Sequence, residues 1–269
     1  MDIRVKQYEI ADNKFPKELS GYRIALFSDT HNMPPKYHEE LAGLIKSVNP
    51  DIVLFAGDAV KKRKSSRDGS GSEYALQLFS YLAPYFPIYY VTGNHDKRWE
   101  KLTSQDGRYR EYMRAISELG IHTLLDERVS LAPGLYLSGL DLPLKSYLSE
   151  KNAPAVSSLR ESLGEPDPAA YEILLAHSPV FFDTYKEWGA DLSLCGHMHG
   201  GVLKLPGGRG LYSPYGTIFP KYAHGHFEDS GKHMIVCTGT CDHRARFEKL
   251  NPCELDLITL THKEDAHGT

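Results

Sequence analysis

Short apolar runs recur along this chain, and several stop abruptly on a small polar cluster. In order, the clusters are Asp29-Thr30-His31, Gly57-Asp58, Gly93-Asn94-His95-Asp96, His177 and Gly196-His197-Met198-His199-Gly200. An apolar run of roughly four to eight residues, bounded by turn formers, reads as a buried strand. The spacing predicts strands over residues 3–10, 22–28, 52–56, 88–92 and 171–176, with another over 192–195. Shorter ones are expected over 122–125, 128–131, 135–140, 233–238 and 254–261. Between them, Leu41, Leu44, Ile45 and Val48 repeat at helical spacing and predict a helix over 35–48. Further helices are expected over 73–82 and 108–119, with one flanked by loops inside 141–168. Strand and helix alternating in this way signal βαβ units and largely parallel sheets, an α/β fold. Each polar cluster then falls at the carboxyl end of its strand, where such folds place ligands.

The 269 residues carry their apolar runs evenly, which fits one domain over 1–262 with 263–269 as a frayed tail. Residues 61–72 run from basic to Gly/Ser-rich and are expected to form a mobile loop. The formal net charge of −4 gives no general case for binding nucleic acid or a membrane surface. No stretch is apolar enough for long enough to span a bilayer, and the start Met1-Asp2-Ile3-Arg4-Val5-Lys6 lacks signal-peptide character. A cytoplasmic location is expected. Cys195, Cys237, Cys241 and Cys253 show no C-x-x-C spacing, so they read as buried thiols rather than a zinc site.

The clusters contain carboxylate, imidazole and amide groups but no thiolate. Asp29 and His31 have i, i+2 spacing, as do His197 and His199, so each pair can face one way from an extended segment. Asp58 follows a glycine and offers two oxygens to neighbouring ions, while Asn94 adds a neutral oxygen. Such mixed nitrogen and oxygen donors suit manganese, iron or zinc better than calcium. A pair of such ions about 3.5–4 Å apart can activate a water and clamp a phosphoryl group. Taken singly, each residue has a blander use. Asp29 can cap a helix, Asp58 and Asn94 can form turns, and His177 can end a strand with its ring satisfied. Their ordered occurrence is what argues for a shared site.

The set D-x-H, GD, GNHD, H and GHxH, running from Tyr22 to His199, resembles the calcineurin-like metallophosphoesterase superfamily. Residues 211–214 and 219–222 look like a bacterial branch of small phosphodiesterases, similar to enzymes that hydrolyse UDP-diacylglucosamine. The resemblance implies a four-layer αββα sandwich, with two mixed β-sheets and helices on the outer faces. It implies two divalent ions: one on Asp29, His31, Asp58 and His199, the other on Asp58, Asn94, His177 and His197. Asp58 would bridge them together with a hydroxide that attacks phosphorus. His95 would bind the phosphate or protonate the leaving oxygen, with Asp96 orienting its ring. Arg98, Tyr212 and Tyr222 are expected to meet the substrate. Tyr212, Tyr215, Phe219, Tyr222 and Phe227 could wall a base or an acyl group, or simply pack a long loop. Trp99 could line the mouth or anchor a helix. The expected substrate is a small phosphodiester, pyrophosphate or phosphomonoester, such as a nucleotide or nucleotide-linked lipid. Two other uses of the fold are a non-catalytic binding scaffold and a nuclease. The net negative charge and the lack of an evident DNA-binding module count against the nuclease.

Overall fold

The structure is a computed structural model that describes residues 3–61, 70–201, 203–204, 210–240 and 253–265. Its strands are β1 (Ile3–Asp12), β2 (Tyr22–Phe27), β3 (Ile52–Phe55), β4 (Ile88–Tyr90), β5 (His122–Thr123), β6 (Glu127–Ala132) and β7 (Leu135–Leu140). They continue with β8 (Tyr171–Ala176), β9 (Leu192–Cys195), β10 (Leu203–Lys204), β11 (Gly210–Tyr212), β12 (Gly225–Asp229), β13 (Lys232–Val236) and β14 (Cys253–His262). The α-helices are α1 (His38–Ser47), α2 (Ser70–Ser80), α3 (Asn94–Leu102), α4 (Arg108–Glu118), α5 (Val156–Leu163) and α6 (Phe182–Trp188).

Alternation along each strand divides the core. In β2 and β3, Ile24, Leu26, Ile52 and Leu54 face one way and Ala25, Phe27, Val53 and Phe55 the other. The first set meets Ile173, Leu175, Leu192 and Leu194 of β8 and β9 in a layer between two sheets. The second set packs under Leu41, Ile45, Phe79, Trp99 and Ile116 of the helices outside the first sheet. Outside the second sheet, Leu174 and Val236 pack against Leu159, Phe182, Tyr185 and Trp188. The result is the expected sandwich of two six-stranded mixed sheets between helices. The first sheet runs β1-β14-β2-β3-β4-β5 and the second β12-β13-β9-β8-β7-β6.

The chain departs from the sequence expectation in several elements. The predicted helix over 35–48 opens as a 3-10 turn, Pro35–Tyr37, before α1. Two helices were not anticipated: α3, which starts on the Asn94 cluster itself, and α6, which follows His177. Strand β12, which carries His226, was also not anticipated; His226 Nε2 lies 3.0 Å from His233 Nδ1. Residues 62–69 of the expected mobile loop and 266–269 of the expected tail lie outside the described residues, as does Cys241. Cys195, Cys237 and Cys253 are buried, as expected. Among the described residues no helix is long and apolar enough to cross a membrane.

Candidate metal centre

β2, β3, β8 and β9 end side by side, and α3 begins just after β4. Their last turns carry the polar clusters inward. Asp29, His31, Asp58, His197 and His199 all adopt left-handed backbone, with φ of 53°, 44°, 61°, 71° and 52°. Residues with a Cβ adopt this conformation rarely, and it is held only where the surroundings over-determine it. Here the backbone braces itself. The Asp29 N–H donates to Gly57 O at 2.9 Å and the His31 N–H to Asp58 O at 3.1 Å.

Two glycines make room for the carboxylates. A Cβ on Gly93 would stand 2.1 Å from Asp58 Oδ1, and one on Gly196 would stand 2.8 Å from Asp29 Oδ2. Gly93 has φ −103°, so its need is for space, not for an unusual turn.

Each carboxylate uses one oxygen for anchorage and leaves the other facing the imidazoles. Asp29 Oδ2 accepts from the His197 N–H at 3.0 Å and from the Ser28 hydroxyl at 2.6 Å. Asp58 Oδ1 accepts from the His95 N–H at 2.7 Å. The free oxygens sit among the rings. Asp29 Oδ1 lies 3.4 Å from His31 Nε2 and 3.7 Å from His199 Nε2. Asp58 Oδ2 lies 3.4 Å from His177 Nε2, 3.7 Å from His31 Nε2 and 4.0 Å from His95 Nε2. Donors about 2.0–2.2 Å from one ion stand roughly 3–4 Å from each other. Three triads have donor atoms that all lie within 4.8 Å of one another: Asp29, His31 and His199; His31, Asp58 and His95; and Asp58, His177 and His197. Asp58 Oδ2 faces rings of both the second and the third triad, and Asp29 Oδ1 also reaches His177 Nε2 at 4.0 Å.

The orphaned atoms test whether cations fit. Asp29 Oδ1, Asp58 Oδ2, Asn94 Oδ1, His177 Nε2 and His197 Nε2 are buried without a hydrogen-bond partner. Leaving one such group unsatisfied costs about 1–3 kcal/mol, and more for a charged group. Five in one place are costly unless something coordinates them, and hard or borderline divalent cations match this donor set. His177 is prepared for this, because its Nδ1 contacts Ala56 O at 2.5 Å and leaves Nε2 for the site.

The titration directions tell the same story of packed opposite charges. Burial works against charge on Asp58, yet His177, His95 and His31 hold it well below the usual carboxylate range. Burial also opposes charge on His177, but Asp58 and Asp29 push it up to about 9. Burial dominates at His199, which falls to about 4.

Two expectations need correction. Asp96 does not hold the His95 ring. It occupies the third position of α3, from which Oδ2 reaches back to the Gly93 N–H at 3.0 Å and the Asp58 N–H at 2.8 Å. Its Oδ1 takes the Val60 N–H at 3.2 Å, so both oxygens serve the backbone of the ligand loops. Tyr222 does not line the site either. It is 8% exposed, with its ring edge-on to Phe182 and Phe227 in the outer core of the second sheet. The apolar faces of α6 and β12 capture it there. Trp99 is likewise a core residue, packed on Tyr109 and Tyr112. Arg98 and Tyr212 are exposed, and His95 is partly so.

Sequence reading missed Tyr147. It ends a 3-10 turn, Leu144–Tyr147, with its ring 5.3 Å from His197 and 5.8 Å from His177. No motif marks it; only the return of that turn to the site does. Tyr215 meets His197 from another side at 5.2 Å and pairs its hydroxyl with Ser178 at 2.8 Å.

Comparison with known proteins gives concordant results. Residues 22–201 match the model of a family described as calcineurin-like phosphoesterase. A protein of Aquifex aeolicus described as an uncharacterized metallophosphoesterase is 28% identical over 265 residues, covering 97% of this chain and 93% of its own. The metallophosphoesterase YkuE of Bacillus subtilis is 24% identical, over 96% of this chain and 85% of its own. Phosphodiesterase YaeI of Escherichia coli is 23% identical over 71% of this chain and 66% of its own.

Proposed function

This chain belongs to the calcineurin-like phosphoesterase family, a family of metal-dependent hydrolases, and we propose that it cleaves a small phosphodiester, pyrophosphate or phosphomonoester at a two-metal centre. The observation that carries this reading is the set of buried, unpartnered donors converging from five separate segments. Asp29, His31, Asp58 and His199 would hold one divalent ion, and Asp58, Asn94, His177 and His197 the other. Manganese, iron and zinc all suit these donors. Bound there, the ions would activate a water and withdraw charge from the phosphoryl oxygens.

The chain's own residues supply the remainder. Asp58 Oδ2 faces both sides of the centre while the His95 N–H fixes Oδ1, so its position is set before any ion arrives. Asp96 secures the loops that carry Asp58 and Asn94 by accepting three backbone N–H groups. His95 is pushed down to about 4 by burial, with His31, Lys61 and Arg98 also disfavouring its charge against the pull of Asp58. At neutral pH it meets substrate as a neutral ring that can give one N–H bond to a phosphoryl oxygen. Arg98 and Lys61 place positive charge nearby and favour an anionic substrate. A relative named as a phosphodiesterase supports the diester among the three substrates.

The test is a panel of aryl phosphomonoesters and phosphodiesters with the manganese-loaded protein and with Asp58→Ala. The reading expects hydrolysis by the parent chain, diesters preferred, and none by the variant. Undiminished turnover by Asp58→Ala would contradict it.

A further inference from the structure

Two tyrosines press on the His197 ring, and their hydroxyls differ. Tyr215 pairs its hydroxyl with Ser178 Oγ at 2.8 Å. Tyr185 donates its own to Ser178 O, also at 2.8 Å. The Tyr147 hydroxyl is buried and has no hydrogen-bond partner among the described residues. Tyr8, Tyr90, Tyr112 and Tyr171 also bury a hydroxyl in this way, so burial alone does not single it out. The carboxylate that acts on each most strongly does. It is Asp256 for Tyr8, Asp96 for Tyr90 and for Tyr112, and Asp12 for Tyr171. For Tyr147 it is Asp58, the carboxylate shared by two triads of the metal centre. The ring is also fixed in place. Its 3-10 turn closes with the Ser146 N–H on Pro143 O at 2.9 Å and the Leu148 N–H on Lys145 O at 3.2 Å. Just upstream, Asp141 accepts from Thr92 Oγ1 and Lys97 Nζ, one on either side of the Gly93–Asp96 cluster.

From this placement we propose that Tyr147 is a catalytic residue whose hydroxyl donates to a non-bridging phosphoryl oxygen on the side of the centre lined by His177 and His197. The inference rests on the phosphoesterase reading and adds a second neutral donor to it. His95 flanks a different part of the ligand set, with its ring 4.8 Å from that of His31. A phosphoryl group held over the centre therefore meets one neutral donor beside His31 and another beside His197. A phenol is protonated at neutral pH and gives one O–H bond. A donor buried without an acceptor costs the free protein stability. It is worth most when charge develops on an acceptor beside it, because the donor is already in place. Removing the oxygen while keeping the ring separates the two effects: stability is kept or gained, and turnover is lost.

The experiment compares the full chain with Tyr147→Phe, which keeps the ring against His177 and His197. Without metal the variant should melt at the parent's midpoint or above it. Calorimetry should show manganese bound as tightly as by the parent. Inorganic phosphate should bind the manganese-loaded variant roughly tenfold or more weakly, the least that a hydrogen bond to a charged acceptor is worth. On the same basis kcat/KM for methyl 4-nitrophenyl phosphate should fall by roughly 10- to 150-fold. A variant that melts lower or fails to fold overturns the proposal, because the hydroxyl then serves the fold. Weaker manganese binding overturns it too, since Tyr147 would then act through the ligands. Parent-like phosphate affinity and turnover overturn it and leave the phosphoesterase reading standing. Absence of turnover by the parent, with this ester and with the aryl phosphate panel, overturns that reading as well.

Discussion

Replacing Gly93 by alanine adds one methyl group at the point where the centre is most tightly packed. Ordinary contact begins at 3.4 Å, and the new Cβ would stand 2.1 Å from Asp58 Oδ1 and 2.6 Å from the Asp58 backbone nitrogen. The two must part by more than 1 Å, and backbone on both sides prevents an easy retreat. The extended backbone of Gly93 suits any residue, so the cost is steric and not torsional. Overpacking of this kind costs about 1–3 kcal/mol. Displacing Asp58 also breaks its 2.7 Å bond from the His95 N–H, and a bond to a charged acceptor is worth about 1.5–3 kcal/mol. Together they give a loss of roughly 2.5–6 kcal/mol, a large share of a typical folding stability. Asp58 Oδ2 moves with its partner oxygen, so manganese affinity should fall by at least about tenfold. Gly43 supplies the control. It lies inside α1 with nothing within 4 Å of its would-be Cβ, so alanine there should stabilise by about 0.5–1 kcal/mol. Urea unfolding and manganese calorimetry on both variants measure the contrast. A Gly93→Ala protein that loses less than about 1 kcal/mol and binds manganese like the parent would refute the reasoning.

Other expectations follow from the same geometry. Asp256 is fully buried, and burial, reinforced by Glu254, raises its pKa well above the ordinary value. A raised carboxyl pKa contributes stability below the unfolded value of about 3.9 that is lost as pH rises through the folded one. Asp256→Asn should therefore melt higher than the parent at pH 8 and flatten the pH dependence, and an equal or lower melting point there would count against the assignment. Asp191 accepts from Lys14 and Lys232, each at 2.6 Å, and from the Glu172 N–H at 2.8 Å. Because the lysines are partly exposed, Asp191→Ala should cost about 2–3 kcal/mol in urea unfolding, less than a fully buried pair would. Saturating manganese should raise the thermal midpoint of the parent, by about 4 kcal/mol of added stability at a thousandfold excess over Kd. Asp58→Ala should show no such rise in differential scanning fluorimetry.

The sheets were legible because alternation is local: Ile24 and Leu26 face one layer, and Ala25 and Phe27 the other, by strand geometry alone. The clusters were legible because each ends such a strand. Strand order was not, since β14 inserts between β1 and β2, a pairing of distant segments that no local pattern encodes. Asp96 misled because its neighbour in sequence is His95, whereas its helical position turns the carboxylate back to the Gly93 and Asp58 amides. Tyr222 misled because an aromatic beside a site can pack inward or outward, and only Phe182 and Phe227 decide it. Tyr147 carried no signal at all, being an ordinary tyrosine in a polar stretch that tertiary packing brings to His197.

Electron paramagnetic resonance of the protein titrated with manganese tests the central claim most directly. Two ions that both draw on Asp58 should bind per chain and give an exchange-coupled signal, and Asp58→Ala should lose the coupling together with at least one ion. Uncoupled single-ion spectra at saturation, or a coupled signal that survives Asp58→Ala, would contradict it.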